Sequence, residues 1–404
     1  MPILSNLITI LLFIGATVLS FVGWPIEGDI AQAKHYYPAF YLLFIFYIIN
    51  IVFKKKLFVG AYKYTTYIMI TVILAFMIGR LIKGGGQIDL LINNIVMPTL
   101  YAAYFIHQPH TNNKTIQRIV IYMYYINALL AIYERITLQN MFPLSLTYSH
   151  IDFTISTDFD ANIFRSTALM GHPLTNALLT SIIMVFILTS ESIKPLHKIM
   201  HYTVGLVSLF CFNARGAILI SGVFLFFYIL KTLTAKKTKA NIKFFIIILI
   251  FLGIQGIFML FQAGFGGRFF EHNIKDDNSI LARFEVWNLL DNINIDFFLA
   301  GIPDIENYAI RILGYNHIEN WFILMSLQIG IIFTIIFILL FYKLFKYYLQ
   351  PYKQFDKLML AGLTLTVSST NNSLACGVQA IALFFVCCYA FSPYFSQKIK
   401  TSKL

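Results

Sequence analysis

The sequence predicts an all-α, polytopic integral membrane protein with about 12 transmembrane helices, and three observations carry that prediction. Apolar residues make up 58% of the 404 and charged residues 12%, against roughly 45–50% and about 25% in a soluble domain. The mean hydropathy is +0.74. The apolar runs are continuous rather than alternating, which excludes a β-barrel. A soluble fold has no place for this much apolar surface. The net charge of +12 would point to nucleic acid in a soluble chain; here its sign has to be read by location.

Runs near the ~20-residue bilayer length fall at 3–22, 38–53, 62–79, 89–106, 116–136, 170–189, 199–212, 216–230, 243–263, 319–342, 358–374 and 377–393. The first has no positively charged leading segment and no small-residue cleavage site after it, so it reads as a retained helix and not a signal peptide. The seventh and eighth are short and read as a hairpin folded at 213–216. Residues 1–404 thus form one membrane domain with two long external loops, 137–169 and 264–318. The larger loop lies between spans 9 and 10. It carries Phe269, Phe270, Phe284, Trp287, Phe297 and Phe298, a composition unlike disorder, so it is expected to fold down onto the membrane domain. Within it, 279–292 reads as a short amphipathic helix with Ile280, Phe284, Trp287 and Leu290 or Asp291 on one face. Cys211, Cys376, Cys387 and Cys388 all lie in apolar context without metal-ligand spacing, and imply no disulfide framework.

Lysine and arginine set the orientation. Lys54-Lys55-Lys56 puts the loop after the second span inside, and every other even-numbered loop follows it. Those loops hold Lys114 and Arg118; Lys194 and Lys198; Lys231, Lys236, Lys237, Lys239 and Lys243; Lys343, Lys346, Lys353 and Lys357; and the tail Lys398, Lys400 and Lys403. Both termini are then cytoplasmic. With Lys63, 19 of 22 lysines are inside, whereas seven of eight arginines are outside: Arg80, Arg135, Arg165, Arg215, Arg268, Arg283 and Arg311. The positive-inside bias explains the lysines but gives no reason for external arginines. Arginine is suited to bidentate phosphate recognition, so the outer face reads as built for a phosphate-bearing ligand. The competing reading pairs these arginines with the external acids.

Four groups of residues are placed to carry chemistry. Asn213-Ala214-Arg215-Gly216 sits at the outer turn of the short hairpin. There an arginine, a helix N-terminus and a glycine that admits close approach make an anion site; a snorkelling arginine is the plainer alternative. Arg283 and Trp287 are four residues apart, which puts a guanidinium beside an aromatic wall for a sugar ring, or makes a cation–π packing pair. In Asn316-His317-Ile318-Glu319-Asn320-Trp321, Glu319 is the candidate general base and His317 the alternative; Glu319 also fits as a helix-terminal carboxylate. In Phe164-Arg165-Ser166…Gly171-His172-Pro173…Asn176, Arg165 and His172 are candidate ligand contacts, with His172 also suited to a cap. Asp158-Phe159-Asp160 is weak evidence for a metal site, and none is expected.

The order of these pieces resembles the O-antigen polymerase/O-antigen ligase superfamily (Wzy and WaaL types) over roughly residues 160–340. The matching pieces are Arg165…Gly171-His172-Pro173…Asn176, Ala214-Arg215-Gly216-Ala217, Arg283-Phe284-Glu285-Val286-Trp287, Phe298-Leu299-Ala300-Gly301-Ile302, and Glu319-Asn320 ahead of Gly330-Ile331-Ile332. The resemblance implies a metal-independent glycosyltransferase of a bacterial cytoplasmic membrane, acting on its outer side on a polyprenyl-diphosphate-linked glycan. Arg215 and Arg283 are implied to hold the diphosphate; beside that, our reading of the residues makes Arg165, His172, Trp287, His317 and Asn320 substrate contacts and Glu319 the base. The ligase pattern has a histidine at the position of Glu319, so the chain sits closer to a repeat-unit polymerase. An O-antigen ligase and a lipid-linked glycan flippase are the alternatives. Implied partners are the lipid-linked glycan, a chain-length regulator protein and membrane lipids, with no nucleic acid and no cofactor.

Overall fold

The computed structural model describes residues 2–15, 38–54, 63–83, 91–106, 112–142, 164–236, 238–262, 284–291, 295–314, 320–370 and 379–393, together with Val18, Gln108, Phe265 and Ile318. Among them there is helix and no strand. The helices are α1 (Pro2–Leu11), α2 (Pro38–Lys54), α3 (Lys63–Lys83), α4 (Met97–Ile106), α5 (Asn113–Thr137), α6 (Pro173–Thr189), α7 (Pro195–Cys211), α8 (Arg215–Thr234), α9 (Ala240–Gln262), α10 (Ile295–Ala300), α11 (Ile305–Leu313), α12 (Trp321–Ile329), α13 (Ile331–Leu349), α14 (Gln354–Thr370) and α15 (Gln379–Ala390). Five stretches are long and apolar enough to cross a membrane: α3, α5, α8, Lys243–Gln262 of α9, and α13. Shorter apolar helices lie at Pro38–Asn50, Asn94–Ile106, Pro173–Thr189 and Ala380–Ala390.

The chain divides into two compact units. Residues 1–14, 25–120 and 274–404 form the first, and 15–24 and 121–273 the second. In the first unit α4 packs along α15, and α13 packs on α3 and α15. Small and aromatic residues alternate at these contacts: Ala102, Ala103, Tyr104 and Phe105 are buried on α4, and Ala382, Phe384, Phe385 and Cys388 on α15. Small side chains let apolar helices approach closely where no hydrophobic force drives them together. Buried tyrosines give their hydroxyl protons to main-chain carbonyls, Tyr47 to Leu100 at 2.9 Å and Tyr352 to Cys388 at 3.1 Å, as a polar tip in an apolar setting requires.

Two breaks in the helices are not visible in hydropathy. Ahead of α4 the chain makes a π-helical turn, Ile92–Val96, closed by Met97 N donating to Ile92 O. Pro98 has no N–H for the carbonyl of Asn94 and would crowd it, and the widened turn accommodates this. The run 319–342, expected as one span, is interrupted at Gly330, whose φ is 88°. α10 lies against the break. A Cβ on Gly330 would come 2.7 Å from Phe298 O, and one on Gly301 2.3 Å from Leu327 O. Three carbonyls ahead of the break have donors: Gly330 N bonds Ser326 O, Ile302 N bonds Leu327 O, and Lys83 Nζ bonds Gln328 O at 2.8 Å.

The described parts of the larger loop pack on neighbouring helices. Its described part at 284–291 is a 3₁₀ turn, Val286–Leu290, resting on α11 and α12. Val286 and Leu289 are buried, while Phe284 and Trp287 are exposed. Three-residue periodicity turns 286 and 289 inward and leaves Phe284 and Trp287 on another face.

In the second unit α6 is the central helix. Every side chain from Asn176 to Thr189 is buried, as expected of a helix apolar all round. α7 and α8 pack on it. Gly205 lets α7 close in, since a Cβ there would meet Tyr124 Oη and Met184 Sδ within 2.4 Å. α9 is mostly exposed, with Ile246 buried among its large apolar residues.

Candidate functional site

The short connections 190–194 and 235–239 make α6 to α9 antiparallel in turn, so the second unit has two chemically distinct ends. The C-terminus of α6, the N-terminus of α7, the C-terminus of α8 and the N-terminus of α9 share one end, with Lys194, Lys198, Lys231, Lys236, Lys239 and Lys243. The C-terminus of α5 and the N-termini of α6 and α8 share the other, with Arg135, Arg165 and Arg215. Among the described residues of this unit, lysine and arginine therefore lie at opposite ends.

The arginine end is built around an irregular strap, residues 164–172, that crosses between α5 and α6. Every backbone amide from 166 to 171 has an acceptor. Ser166 N donates to Cys211 O (3.1 Å), Thr167 N and Ala168 N to Glu134 Oε2 (2.9 Å each), Leu169 N to Asn127 Oδ1 (3.2 Å), Met170 N to Asn176 Oδ1 (3.3 Å) and Gly171 N to Thr167 O (2.9 Å). A strap without secondary structure needs such partners, because a buried unpaired amide is costly. Asn176 also donates to the carbonyls of Thr167 and His172. Two strap residues have positive φ, Ala168 at 36° and Gly171 at 73°. Ala168 is fully buried, and a non-glycine residue is held there only where its surroundings over-determine it.

Arg165 leads into this strap. Its Nε donates to Phe212 O at 3.3 Å, which ties it to the α7–α8 turn. Asn213 in that turn has φ 50°. Arg215 is the first residue of α8, partly exposed, and no side chain caps that helix start. Gly216 beside it is exposed, with no atom of the described residues within 4 Å of where a Cβ would sit. Arg135 is buried, donates to Phe164 O at 3.3 Å and lies 4.9 Å over the Phe265 ring.

His172 caps α6. Its Nδ1 accepts from Leu174 N and Thr175 N at 3.2 and 3.3 Å. The sixth run thus begins its helix at Pro173, with His172 just outside it. Burial first, then the neighbouring Arg165 guanidinium, pushes the imidazole down to about 3. That agrees with an Nδ1 that accepts, since an imidazolium has no lone pair.

The arrangement brings together Arg165, His172 and the turn carrying Arg215. Trp287 and Asn320 belong to the first unit. Trp287 is 52% exposed on the 3₁₀ turn. Asn320 caps α12, its Oδ1 accepting from Ile323 N at 3.1 Å. Arg283, His317 and Glu319 lie outside the described residues, as do Asp158 and Asp160. Among the described residues no group of three or more His, Cys, Asp or Glu side chains is placed to hold a metal ion. Glu134, Asn127 and Asn176 did not emerge from the sequence as a set. The signal was there: Asn127 and Glu134 are seven apart, one face of a helix, and both are polar within an apolar run. No protein-family profile matches the chain, and no curated protein matches it.

Proposed function

We propose that this chain polymerises polyprenyl-diphosphate-linked oligosaccharide repeat units at the outer face of a bacterial cytoplasmic membrane. The observation that carries the reading is the arginine end of the second unit: Arg165 tied to the α7–α8 turn, with Arg215 opening an uncapped helix beside an accessible Gly216. Guanidinium groups and helix-terminal amides are the donors a diphosphate needs. In this reading the chain crosses the membrane 12 times (about one crossing per apolar run) and keeps both termini in the cytoplasm. Cysteines introduced at Lys236 or Lys239 are then shielded from impermeant external thiol reagents; their labelling from outside inverts the topology.

In the proposed reaction a hydroxyl of the acceptor glycan attacks the anomeric carbon of the donor. The bond from that carbon to the diphosphate oxygen breaks, and the lipid diphosphate leaves. Arg215 and Arg165 neutralise the charge that develops on it, a role the sequence gives to Arg283 as well. Glu319 takes the hydroxyl proton. Arg283 and Glu319 enter on the sequence alone. The sequence likewise gives Trp287 the role of an aromatic surface for a sugar, and apolar helix faces hold the lipid. A transporter is favoured by one feature, the helix break at Gly330, since broken helices line transport sites. The carbonyls of Ser326, Leu327 and Gln328 there, however, accept from Gly330 N, Ile302 N and Lys83 Nζ.

The test is deletion of the gene with analysis of the glycan. A polymerase leaves single repeat units, and a ligase leaves full-length chains on the carrier lipid. Complementation with Glu319→Gln should leave mostly single units, because loss of a general base costs ~10²–10⁴-fold. If His317→Gln is the inactive variant instead, the base is His317 and the ligase reading gains.

A further inference from the structure

We infer that Glu134 is the positioning residue of the anion site, fixing the strap that presents Arg165; this rests on the diphosphate reading above. Glu134 is fully buried, at 0% exposure. Its Oε2 accepts from Ser166 Oγ (2.5 Å), Thr167 N and Ala168 N (2.9 Å each), and its Oε1 accepts from Met141 N (2.9 Å). Both oxygens are engaged and neither is open to solvent, so Glu134 takes no proton from a substrate hydroxyl. What it does is determine where the strap runs.

Ser166 shows how the constraint reaches Arg165. Its hydroxyl is held by Glu134 and its amide by Cys211 O, so the residue following Arg165 is pinned on two sides. Arg165 itself bonds Phe212 O, the next carbonyl along. Glu134 on α5, the strap, and the turn that leads into Arg215 therefore form one hydrogen-bonded chain inside the second unit. Bonds to a charged acceptor are the stronger class, and here a single carboxylate gathers three donors from consecutive residues on one oxygen. Asn127 and Asn176 continue the same support at Leu169 and Met170. A carboxylate that only satisfied the end of α5 would need the Met141 bond alone. The three bonds to 166–168 hold the backbone at Ala168, which is buried with positive φ. Supporting groups that hold a binding side chain to within a fraction of an ångström decide whether a site is productive.

The experiment measures binding of geranylgeranyl diphosphate to the purified full chain in detergent, which requires no turnover. Arg165→Ala should weaken binding about tenfold, the scale of one lost charged hydrogen-bonding contact. Glu134→Asp, which draws the carboxylate back by about one methylene (~1.5 Å), should weaken it by a similar factor. The double variant should be no weaker than either single one, since groups acting through one another are not additive. Glu134→Gln keeps the length and one acceptor oxygen, so it should bind better than Glu134→Asp; a role in charge alone predicts the reverse order. Ser166→Ala removes one bond to Glu134 and serves if Glu134→Asp does not fold. It should weaken binding about threefold, and not at all in the Arg165→Ala background. If Glu134→Asp and Ser166→Ala lower thermal stability while the diphosphate binds as in wild type, or if their effects multiply with Arg165→Ala, the positioning role is overturned and the diphosphate reading stands. If the wild-type chain does not bind the diphosphate, that reading fails and this inference with it.

Discussion

The two ends of the second unit carry the same sign of charge on different physical terms. At the lysine end, Lys198 Nζ donates to Leu188 O in the last turn of α6, and Lys231 lies in the last turn of α8. Both put a cation where helix carbonyls and the macrodipole are negative. At the arginine end, Arg135 follows the same rule, in the last turn of α5 with a bond to Phe164 O. Arg215 does not. It opens α8, at the positive end of the dipole, where a cation is disfavoured by ~0.3–1 kcal/mol. Lys194, at the N-cap of α7, occupies the equivalent electrostatic position at the other end and is the natural control. The difference teaches that net charge alone does not separate a structural cation from a binding one. The helix terminus it faces does, together with what else is open there. Beside Arg215 the backbone at Gly216 is clear among the described residues, and a bound anion would favour a cation in that position.

The largest effect expected from breaking this comparison is at Arg215. Arg215→Lys keeps the charge but loses the planar fork. Polymer formation should fall ~10²-fold, the usual cost of one donor aimed at developing negative charge, with the protein still present in the membrane. Lys194→Gln removes a cation from a helix start as well and should leave chain length unchanged. Equal losses in the two variants would reduce Arg215 to one more interfacial cation.

A smaller effect sharpens the opposite end. Lys198 is buried, and its ammonium serves Leu188 O while lying over the Tyr228 ring at 5.3 Å. Lys198→Met keeps the apolar stem and leaves that carbonyl without its donor. Thermal unfolding should show a loss of ~1–3 kcal/mol, and glycan chain length at permissive temperature should not change. A variant of unaltered stability that shortens the polymer would show that the lysine end also takes part in the reaction.

How much of this was legible beforehand follows from what each signal encodes. Hydropathy located the helices well where the chain is simply apolar: the run 38–53 is α2 and 116–136 lies within α5. It was blind to breaks that cost no hydropathy. Gly330 sits in an unbroken apolar run, and only its φ of 88° and the backbone of α10 against it show why glycine is there. The π-helical turn depends on Pro98 meeting the carbonyl four residues earlier, a clash that composition does not express. Arginine counting singled out Arg165 and Arg215, which the fold puts at one end of the second unit, because charge is countable. It missed Glu134, whose importance lies in three donors arriving from 166–168, more than thirty residues away in sequence. Helical periodicity put Phe284, Trp287 and Leu290 on one face, where the chain makes a 3₁₀ turn that buries Val286 and Leu289 instead.

The smallest effect expected is at His172, and it separates cap from ligand contact. The capping bonds from Leu174 N and Thr175 N require a neutral ring. Burial and Arg165 push its pKa from 6.5 down to about 3. The unfolded chain takes up the proton near pH 6.5 and the folded chain only near 3. Between those values the unfolded state binds more protons, so stability is full above about pH 6.5 and declines as pH falls toward 3. His172→Asn keeps a good cap and does not titrate. At pH 7.5 the two proteins should therefore unfold within a few degrees of one another and make polymer of equal length. On acidification to pH 4.5 the wild-type midpoint should drop more steeply than that of the variant, because only the wild type carries this proton linkage. Parallel curves would mean that the imidazole is not the acceptor at the start of α6. Shortened polymer at pH 7.5 with an unchanged midpoint would move His172 from the helix cap to the substrate.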